Sequence, residues 1–474
     1  MRRYLWGLVA FTVVLLSAPT THATGPLGKQ GQPISTSSYA IDLFQGPLLA
    51  GSRTIGLGGA MAGLAEGVDS VAVNPAAPSV RMPWSVEALD YAVTMGATFP
   101  QSLKDTDFDN NGTTGFTYNR FLFFTAGAQL QLYKWGIGIT YDLQHYELQD
   151  LVSPDVDYPE IKTLIHRAHI VLSRSFANRE IMIGVGFRLA ALAVDEVSAG
   201  SEAHMRELFS TVGISPEAGG VWAPHALPLR IGLVGRLGLR SKTTPQAVLT
   251  ANSNGDTIVD TMMLPNHVAL PWEIEAGIAV QSGARPLNPT IGKVEELIAP
   301  IVQEIEKNRA RRNDKKLSKT EERELRTAEE DLLKKEKAKA TARLRAQAAT
   351  HPRQKILVSA ALTVSGAVDQ AVGVESFLSG VVDRSGEKVV FVPRIGIEFE
   401  PIANKLQTRA GMYLEPTRFR DGAPRMHGTA GLDLNLFCSS IWGLFSENRC
   451  WKMTGVIDIT HNYRSWGVSF GVWH

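Results

Sequence analysis

The chain has 474 residues, and its 48 Lys and Arg against 47 Asp and Glu leave a net charge of only +1. A balance this even provides no basic field for nucleic acid, so no nucleic-acid partner is expected. A mean hydropathy of −0.04 is too polar for a bundle of membrane-spanning helices. The 43 glycines, about 9% of the chain against roughly 7% on average, favour turns and crowded strands and point to an all-β chain.

The chain begins with the pattern of a secretory signal peptide. Arg2 and Arg3 precede an apolar run from Leu5 to Leu16, and residues 21–23 provide a small-x-small cleavage site. The apolar run is short for a membrane-spanning helix, which needs about 20 residues. We therefore predict that residues 1–23 are a signal peptide and that the mature chain is exported.

Residues 24–83 precede the first predicted strand and are rich in glycine and other small residues. Glycine lets backbone segments approach closely, and an asparagine before a proline favours a turn. A nucleotide-binding loop at residues 56–58 is excluded because its third glycine is misplaced and no βαβ unit surrounds it. The residues that stand out in this segment are Arg53, Gly56, Gly58, Gly59, Asp69, Asn74, Pro75 and Ala76.

Apolar and polar residues alternate with a period of two along most of the remaining chain. In the stretch 229–240 the odd positions are mainly leucine and isoleucine, whereas Arg230, Arg236 and Arg240 occupy even positions. The alternating segments are longer than the five or six residues usual in soluble sheets, and an apolar outside with a polar inside is typical of outer-membrane barrels. We count fourteen such segments, in residues 84–282 and 354–474, and predict a transmembrane antiparallel β-barrel.

Several charged residues fall on the polar, lumen-facing side of the predicted strands. They are Asp142, Arg188, Arg230, Arg236, Glu273 and Glu398. Charged residues that face a barrel lumen usually pair with one another, so we predict a structural ion-pair network; direct contact with a ligand is the alternative for each of them.

The predicted connections alternate in length over the first half of the barrel. Residues 198–215 form one of the long ones, before a sixth strand at Pro216–His225 and a seventh at Leu229–Ser241. Barrels of this class place long loops outside the cell and short turns in the periplasm, so both termini are expected in the periplasm.

Residues 283–353 interrupt the barrel pattern with a highly charged segment. Between Lys293 and Arg345 there are 16 Lys or Arg and 12 Asp or Glu. Apolar residues at helical spacing, followed by a capping box at Ser318–Glu321, predict an antiparallel helical, coiled-coil-like hairpin with a break at 313–317. By the parity of the strands this hairpin is periplasmic, where a protein partner is an open expectation; a solvated single helix is the alternative.

Other candidate sites are few. Asp107, Asp109 and Asn111 have the spacing of a calcium loop, but position 12 lacks the bidentate Glu, so a plain polar loop is the alternative and no other metal site is expected. Cys438 and Cys450 are predicted to form a disulfide, as expected in an oxidising compartment. No nucleophile and base pair up in the sequence, so neither an enzymatic activity nor a cofactor is expected.

The run from Gly51 to Ala60 and the run from Asp69 to Ala77 resemble the N-terminal hatch of the FadL-type long-chain fatty-acid transporter family. The stretches Pro393–Phe399 and Arg409–Tyr413 resemble a late strand pair of that family, and the predicted strand count also matches. The charged insertion and the final His474, where a terminal aromatic is usual, depart from it.

This resemblance implies a bacterial outer-membrane barrel in contact with lipid that takes up long-chain fatty acids or other hydrophobic small molecules. It also implies that residues 24–83, with the residues singled out above, form an N-terminal hatch or plug that closes the barrel from the periplasmic side. The hatch also resembles that of PorV-type barrels of the same superfamily, which implies protein secretion or surface attachment instead. A membrane scaffold for the periplasmic helices is a third alternative.

Overall fold

The computed structural model describes residues 26–474 apart from 82–88, 102–106, 115, 151–159, 198–204, 246–249, 252–256, 260–261, 289–293, 314–318, 350–354, 421, 440–448 and 473–474. The predicted signal peptide lies outside the described residues. So do residues 289–293 and 350–354, at the two ends of the helical insertion. None of the helices in the described ranges is long and apolar enough to cross a membrane.

Fourteen antiparallel strands form a closed barrel, because each pairs with its neighbours in the chain and the last pairs with the first. This confirms the predicted architecture. The strands are β1 Leu89–Gln101, β2 Phe116–Leu132, β3 Trp135–Asp150, β4 Glu160–Phe176, β5 Ile181–Val197, β6 Met205–Trp222, β7 Leu229–Arg236, β8 Glu273–Ser282, β9 Ile356–Ser365, β10 Val390–Ile402, β11 Leu406–Glu415, β12 Arg425–Ser439, β13 Arg449–Thr460 and β14 Tyr463–Val472.

The outer face of the barrel is apolar on every side. On β5, Ile183, Val185 and Phe187 are each more than half exposed, whereas the neighbouring Arg188 points inward and is 6% exposed. Most other strands expose leucine, isoleucine, valine or methionine in the same alternating way. A soluble protein does not expose an apolar belt of this extent, so the barrel is built to be surrounded by lipid.

The two ends of the barrel differ in the length of their connections, and we call them the loop end and the turn end. At the loop end, β7 is joined to β8 by residues 237–272 and β9 to β10 by residues 366–389. At the turn end, β2 is joined to β3 by two residues and β10 to β11 by three, and the helical insertion leaves the barrel there. The alternation predicted for the first seven connections is present, but the last one, between β13 and β14, is a two-residue turn at the loop end.

The bounds predicted for the sixth and seventh strands are wrong. The sixth strand begins at Met205, not at Pro216, so the predicted loop 198–215 belongs mostly to a strand of 18 residues. The seventh ends at Arg236, because its ladder with β6 stops at Glu217, next to Pro216, which has no backbone N–H to donate. Residues 239–242 then pair with 267–270 in a separate sheet.

The lumen is filled by residues 26–81 of the same chain, here called the plug. Its strand Ala40–Asp42 pairs in parallel with residues 267–270 and with residues 371–372, in a five-stranded sheet at the loop end. Helix α1 (Ser52–Gly56) and two short 3₁₀ turns follow towards the turn end. The plug therefore extends through the barrel to its loop end. Its first described residues contact the connection 366–389 there, whereas the prediction placed both termini at the end of the short turns.

An apolar cluster rich in aromatic side chains occupies the loop end of the lumen. It joins inward-facing side chains of β2 to β6 to the first part of the plug and to helix α4 (Val374–Ser379). Its largest members include Tyr39, Phe108, Tyr118, Phe121, Phe123, Tyr146, Phe209 and Phe377.

The charged insertion contains two helices, α2 (Val294–Asn313) and α3 (Lys319–Ala349). Arg309, near the end of α2, forms an ion pair of 2.7 Å with Glu329 in the first half of α3, as an antiparallel hairpin requires. Ile298, Ala340 and Leu344 are buried, and most other side chains of the hairpin are exposed.

Candidate functional site

A chain of buried charges holds the plug to the barrel wall. Arg53 of helix α1 donates from Nε and Nη2 to the carboxylate of Glu398 on β10, with both distances 3.0 Å. The same guanidinium contacts Glu66 of the plug at 3.3 Å, and Glu66 accepts a hydrogen bond of 2.9 Å from Arg230 on β7. Charged hydrogen bonds thus hold the plug to two strands of the barrel, β10 and β7.

Glu398 also pairs with charged residues of the barrel itself. Its carboxylate also contacts Lys355 and Arg409, and Arg409 donates to Asp433 on β12 at 2.7 Å. Burial raises the cost of ionising Glu66 of the plug, but Arg230, Lys355 and Arg53 outweigh it and lower the pKa of Glu66 to about 2. Glu66 is therefore ionised at every physiological pH, and the network keeps its charge.

Asn74 fixes the plug against β6. Its side chain is fully buried; Nδ2 donates to the carbonyl oxygen of Ala62 at 2.8 Å and to that of Gly220 at 3.3 Å. Its Oδ1 accepts the backbone N–H of Ala76 at 3.0 Å. The predicted Asn-Pro turn is present, and it connects two parts of the plug to one wall strand.

Glycines of the barrel wall make room for the plug, and the sequence reasoning missed their role. A Cβ at Gly184 would lie 2.0 Å from the carbonyl oxygen of Pro75, and one at Gly411 would lie 2.3 Å from the backbone nitrogen of Gly58. The same close approach occurs at Gly136, Gly219, Gly232, Gly277 and Gly396. The available signal was the recurrence of glycine at inward positions of the alternating strands.

The other predicted hatch residues lie in the same contact region. Asp69 accepts a hydrogen bond of 3.0 Å from the backbone N–H of Arg53. A Cβ added at Gly56 would lie 3.4 Å from the Cα of Gly431. Gly58 and Gly59 have φ of +59° and +79°, the left-handed region that favours glycine. The predicted hatch residues therefore contact the wall at two places. Gly56, Gly58 and Gly59 lie against β10 to β12, whereas Asn74, Pro75 and Ala76 lie against β5 and β6.

One cavity of about 220 Å³ lies inside the barrel between the plug and the wall. On one side it is covered by residues 43–51, here called the strap, which contribute Leu43, Phe44, Pro47, Leu48 and Leu49. On the other side are polar and charged wall residues and the plug segment 68–73. The cavity therefore offers one apolar surface and one polar surface to any molecule inside it.

Arginine and acidic side chains alternate along the polar side of the cavity. Arg188 donates to Glu273 at 3.1 Å, and Arg236 lies 3.6 Å from both Glu273 and Glu275. Arg394 approaches Glu275 at 3.5 Å. Most charges lining the cavity are thus paired with one another.

The six predicted lumen charges divide into two groups. Asp142, Arg188, Arg236 and Glu273 line the cavity, whereas Arg230 and Glu398 lie in the network that holds the plug. Arg236 also donates to the backbone carbonyl of Ala72 at 2.9 Å, so it connects the cavity to the plug.

The candidate calcium loop lies at the loop end and is held by hydrogen bonds within the protein. Asp107 and Asp109 accept the backbone N–H of Asn111 at 2.9 and 3.2 Å, and the Asn111 side chain donates to Glu375 of helix α4 at 2.8 Å. Tyr118 donates to the other oxygen of Glu375 at 2.6 Å. In the described ranges, no three His, Cys, Asp or Glu side chains are arranged to hold a metal ion.

Burial is the main cause of the raised pKa values of Glu375 and Asp109. It raises the pKa of Glu375 to about 8, against the hydrogen bonds from Tyr118 and Asn111, and the nearby Asp107 raises it further. The pKa of Asp109 is raised well above its ordinary value, first by burial and then by Glu375. Glu375 therefore carries a proton near neutral pH.

Cys438 and Cys450 are joined by a disulfide at the turn end of β12 and β13. The two residues are also register partners in the ladder between these strands. The disulfide closes the connection 440–448, which lies outside the described residues.

No protein-family model matches the chain, and no curated protein matches it by sequence. Among solved structures, the chain is similar to the Pseudomonas putida toluene transporter TodX, with 11% identity and a TM-score of 0.46 over 93% of this chain and 99% of that one. It is also similar to a Pseudomonas aeruginosa FadL homologue, with 10% identity and a TM-score of 0.45 over 93% and 98% of the two chains.

A third similar structure is the CymD monoaromatic hydrocarbon channel, with 10% identity and a TM-score of 0.44 over 89% of this chain and 96% of that one. Likenesses at these identities, with TM-scores below 0.5, identify neither a substrate nor a mechanism. The chain is a plugged transmembrane barrel that is similar in outline to FadL-type barrels.

Proposed function

We propose that this chain is an outer-membrane channel for the uptake of long-chain fatty acids or other hydrophobic small molecules. The observation that carries the proposal is the lumen itself, which is closed by residues 26–81 and retains a cavity of about 220 Å³ beneath the apolar strap. A fourteen-stranded barrel is intermediate in size between small filled barrels and open porins, so without a plug it would pass polar solutes.

The chemistry of the lumen supports a hydrophobic cargo. The aromatic cluster at the loop end lies between the barrel mouth and the cavity, so a compound that enters from this end meets Tyr118, Phe121 and Tyr146 first. Below this cluster, the strap lines the cavity with leucine, phenylalanine and proline. An apolar molecule gains by leaving water at each of these steps.

The orientation we propose places the loop end outside the cell and the turn end in the periplasm. The lengths of the loop-end connections support this orientation. Helices α2 and α3 are then periplasmic. Protease added to intact cells should leave the hairpin uncut, whereas it should cut the hairpin after the outer membrane is permeabilised; cleavage in intact cells would reverse the orientation.

The cavity gives a direct test of transport. Thr363 on β9 is 4% exposed and lines the cavity, whereas the adjacent Leu362 points to lipid and is 43% exposed. Thr363→Trp should fill the cavity and lower uptake of a radiolabelled fatty acid or of toluene, while Leu362→Trp, the matched control, should leave uptake unchanged.

Gene deletion separates the proposal from its alternative. If the deletion leaves uptake of both compounds unchanged but surface proteins are lost or retained in the periplasm, the transport proposal is wrong and a PorV-like export function replaces it. If uptake falls on deletion but Thr363→Trp and Leu362→Trp transport equally well, the chain is a channel whose route avoids this cavity.

A further inference from the structure

The cavity beneath the strap has the size of a compact ring and not of a long chain. Its volume is about 220 Å³, and a dry cavity of about 150 Å³ in another protein holds benzene. A single aromatic ring with one small substituent therefore fits. A long acyl chain has many more carbon atoms than benzene, so it would extend beyond the cavity.

The strap gives such a ring an apolar surface. Phe44 and Leu48 of the strap line the cavity, together with Val73 of the plug and Val392 on β10. A ring that packs against these side chains leaves water, which is favourable by about 25 cal/mol for each Å² of apolar area. The hydrocarbon part of an occupant is therefore expected beneath the strap.

The charges around the cavity are balanced in number. Its described lining contains four arginines and four carboxylates. Arg188 and Arg236 lie 3.1 and 3.6 Å from Glu273. Arg394 lies 3.5 Å from Glu275. Three of the four arginines are thus already paired with carboxylates of the wall.

The fourth arginine holds the strap. Arg167 on β4 donates from Nη1 to Oε1 of Gln45 at 2.8 Å, and from Nη2 to the carbonyl oxygen of Leu43 at 3.1 Å. Arginine binds a carboxylate best through two parallel hydrogen bonds. A carboxylate that approached these two nitrogens in that way would have to replace the oxygens of the strap, so the cavity is poorly suited to an anion.

Asp142 is a lining carboxylate with spare hydrogen-bonding capacity. It lies on β3, with Thr125 on β2 and Arg167 on β4 as its register partners. It is only partly buried, and it lines the cavity. It forms no ion pair within the described part of the chain, and the hydroxyl of Thr125 donates to it. A carboxylate has roughly four acceptor positions, so Asp142 can accept a further hydrogen bond from a molecule in the cavity.

We propose that this cavity binds a compact, neutral ring compound that carries a hydroxyl group, and that Asp142 accepts the hydrogen bond from that hydroxyl. The ring lies beneath the strap, and the hydroxyl faces β3. A hydrogen bond to a carboxylate is charge-assisted and stronger than one between neutral groups. A bare hydrocarbon cannot form it, and a carboxylate brings a like charge towards Asp142.

This inference rests on the proposed function and narrows it, because it names the class of compound that occupies the site beneath the strap. Asp142 is then a residue that determines specificity. Phenols and aromatic alcohols are the simplest members of the class, since they join one ring to one neutral hydroxyl.

The test uses three ligands that differ in one substituent of the same ring: 4-fluorophenol, 4-fluorotoluene and 4-fluorobenzoate. At pH 7 the phenol is neutral, because a phenolic hydroxyl has a pKa near 10, whereas the benzoate is charged. Binding to the purified full-length protein in nanodiscs is followed by fluorine NMR titration, with empty nanodiscs as the baseline.

Two variants carry the same substitution. Asp142→Asn keeps the size of the side chain and removes its charge. Asp195→Asn is the matched control, because Asp195 lies on the neighbouring strand β5, outside the lining of the cavity.

We expect wild type and Asp195→Asn to bind 4-fluorophenol about tenfold more tightly than 4-fluorotoluene, and 4-fluorobenzoate more weakly than either. Asp142→Asn should bind 4-fluorophenol at least about threefold more weakly, because its amide oxygen accepts only a neutral hydrogen bond. It should bind 4-fluorotoluene as wild type does, which a loss of cavity structure would not allow, and it should bind 4-fluorobenzoate more tightly.

The proposal is overturned if wild type binds 4-fluorotoluene or 4-fluorobenzoate as tightly as 4-fluorophenol, or if Asp142→Asn weakens the phenol and the toluene equally. The wild-type ratios decide alone if Asp142→Asn does not fold, as judged by heat-modifiable migration in electrophoresis. Binding of the three ligands without preference leaves the channel function standing. Absence of binding by all three overturns the inference, and the channel function falls with it only if gene deletion also leaves uptake unchanged.

Discussion

A side chain added at Gly219 should unseat the plug while leaving the barrel assembled. An ideal Cβ at this position would lie 2.3 Å from Oδ1 of Asn74 and 2.8 Å from Cδ of Pro75. Ordinary contacts are about 1 Å longer, so the turn at Asn74 must move away from the wall by roughly that distance. The movement would break hydrogen bonds that are formed by the Asn74 side chain.

The size of the effect follows from those hydrogen bonds. Asn74 donates to two carbonyl oxygens and accepts one N–H in a buried site, and each buried polar group left without a partner costs about 1–3 kcal/mol. Loss of two such bonds, at about 1.5 kcal/mol each, would lower the stability of the seated plug by about 3 kcal/mol. That is roughly a 100-fold change in the ratio of seated to unseated plug.

The assay is release of a small polar dye from vesicles that contain the purified variant. Gly219→Val should leak, whereas Gly220→Val should not, because a Cβ at Gly220 meets nothing closer than the Met182 oxygen at 3.6 Å. Both changes add the same β-branched side chain to one strand, so their difference reports the plug and not strand propensity. Asn74→Ala should also leak, without any added bulk.

Equal leakage from Gly219→Val and Gly220→Val would show that contact between the Asn74 turn and the wall does not hold the plug. The same conclusion would follow if neither variant leaked although both were correctly folded.

Three further outcomes follow from the plug, the loop end and the turn end. Arg53→Gln removes charged hydrogen bonds from Glu398, which keeps Lys355 and Arg409 as partners, so the plug should lose about 1.5–3 kcal/mol of stability and dye release should rise; a variant that does not leak would contradict this. Because the pKa of Glu375 is raised from 4.5 to about 8, its contacts are most stable below pH 4.5 and weaken as pH rises to 8. Protection of the helix α4 amides, measured relative to the intrinsic exchange rate at each pH, should therefore fall over that range, and the fall should be absent in Glu375→Gln. Reduction of the Cys438–Cys450 disulfide should lower thermal stability by about 2–3 kcal/mol without opening the barrel, as measured by calorimetry with and without reductant; an unchanged transition would refute it.

The barrel was predictable from the sequence because its physical cause is local. Alternation of apolar and polar residues reports which side chains face lipid, and it predicted fourteen strands and their closure. The start of β6 was missed because residues 205–215 contain Glu, Ser and Gly, which resemble a loop when the partner strand is unknown. The end of β7 depended on Pro216 in the facing strand, a contact that no local pattern reveals.

The site was less predictable because its contacts join distant parts of the chain. Arg53 was identified, but Glu66 gave no signal at its own position, and Arg409 was noted only as the start of a stretch that resembles a family strand. The acidic group at the loop end depends on Glu375, which is 264 residues from Asn111. The glycines at which plug and wall approach each other are visible in the sequence only as an excess of glycine. Which plug residue lies against which wall glycine depends on how the plug is seated in the barrel, and the sequence does not reveal that.

The uneven attachment of the plug indicates which part of it moves when a compound passes. The glycine-rich part is held by the ion pairs of Arg53 and the buried side chain of Asn74. The strap contains no charged residue. Among the described residues, the side-chain hydrogen bonds that hold it are those from Arg167 to Leu43 and Gln45, from Gln45 to the wall, and from the Leu48 N–H to a tyrosine hydroxyl.

Segments with fewer buried polar anchors open at lower free energy, so the strap should move while the glycine-rich part stays seated. A shift of the strap alone would join the cavity to the aromatic cluster at the loop end without breaking the seal at the turn end. Hydrogen exchange should therefore be faster at the amides of residues 44–51 than at those of residues 54–65, and a cavity-filling ligand should slow only the former. Equal protection of both segments would show that the plug moves as one body, and polar solutes should then leak whenever the channel transports.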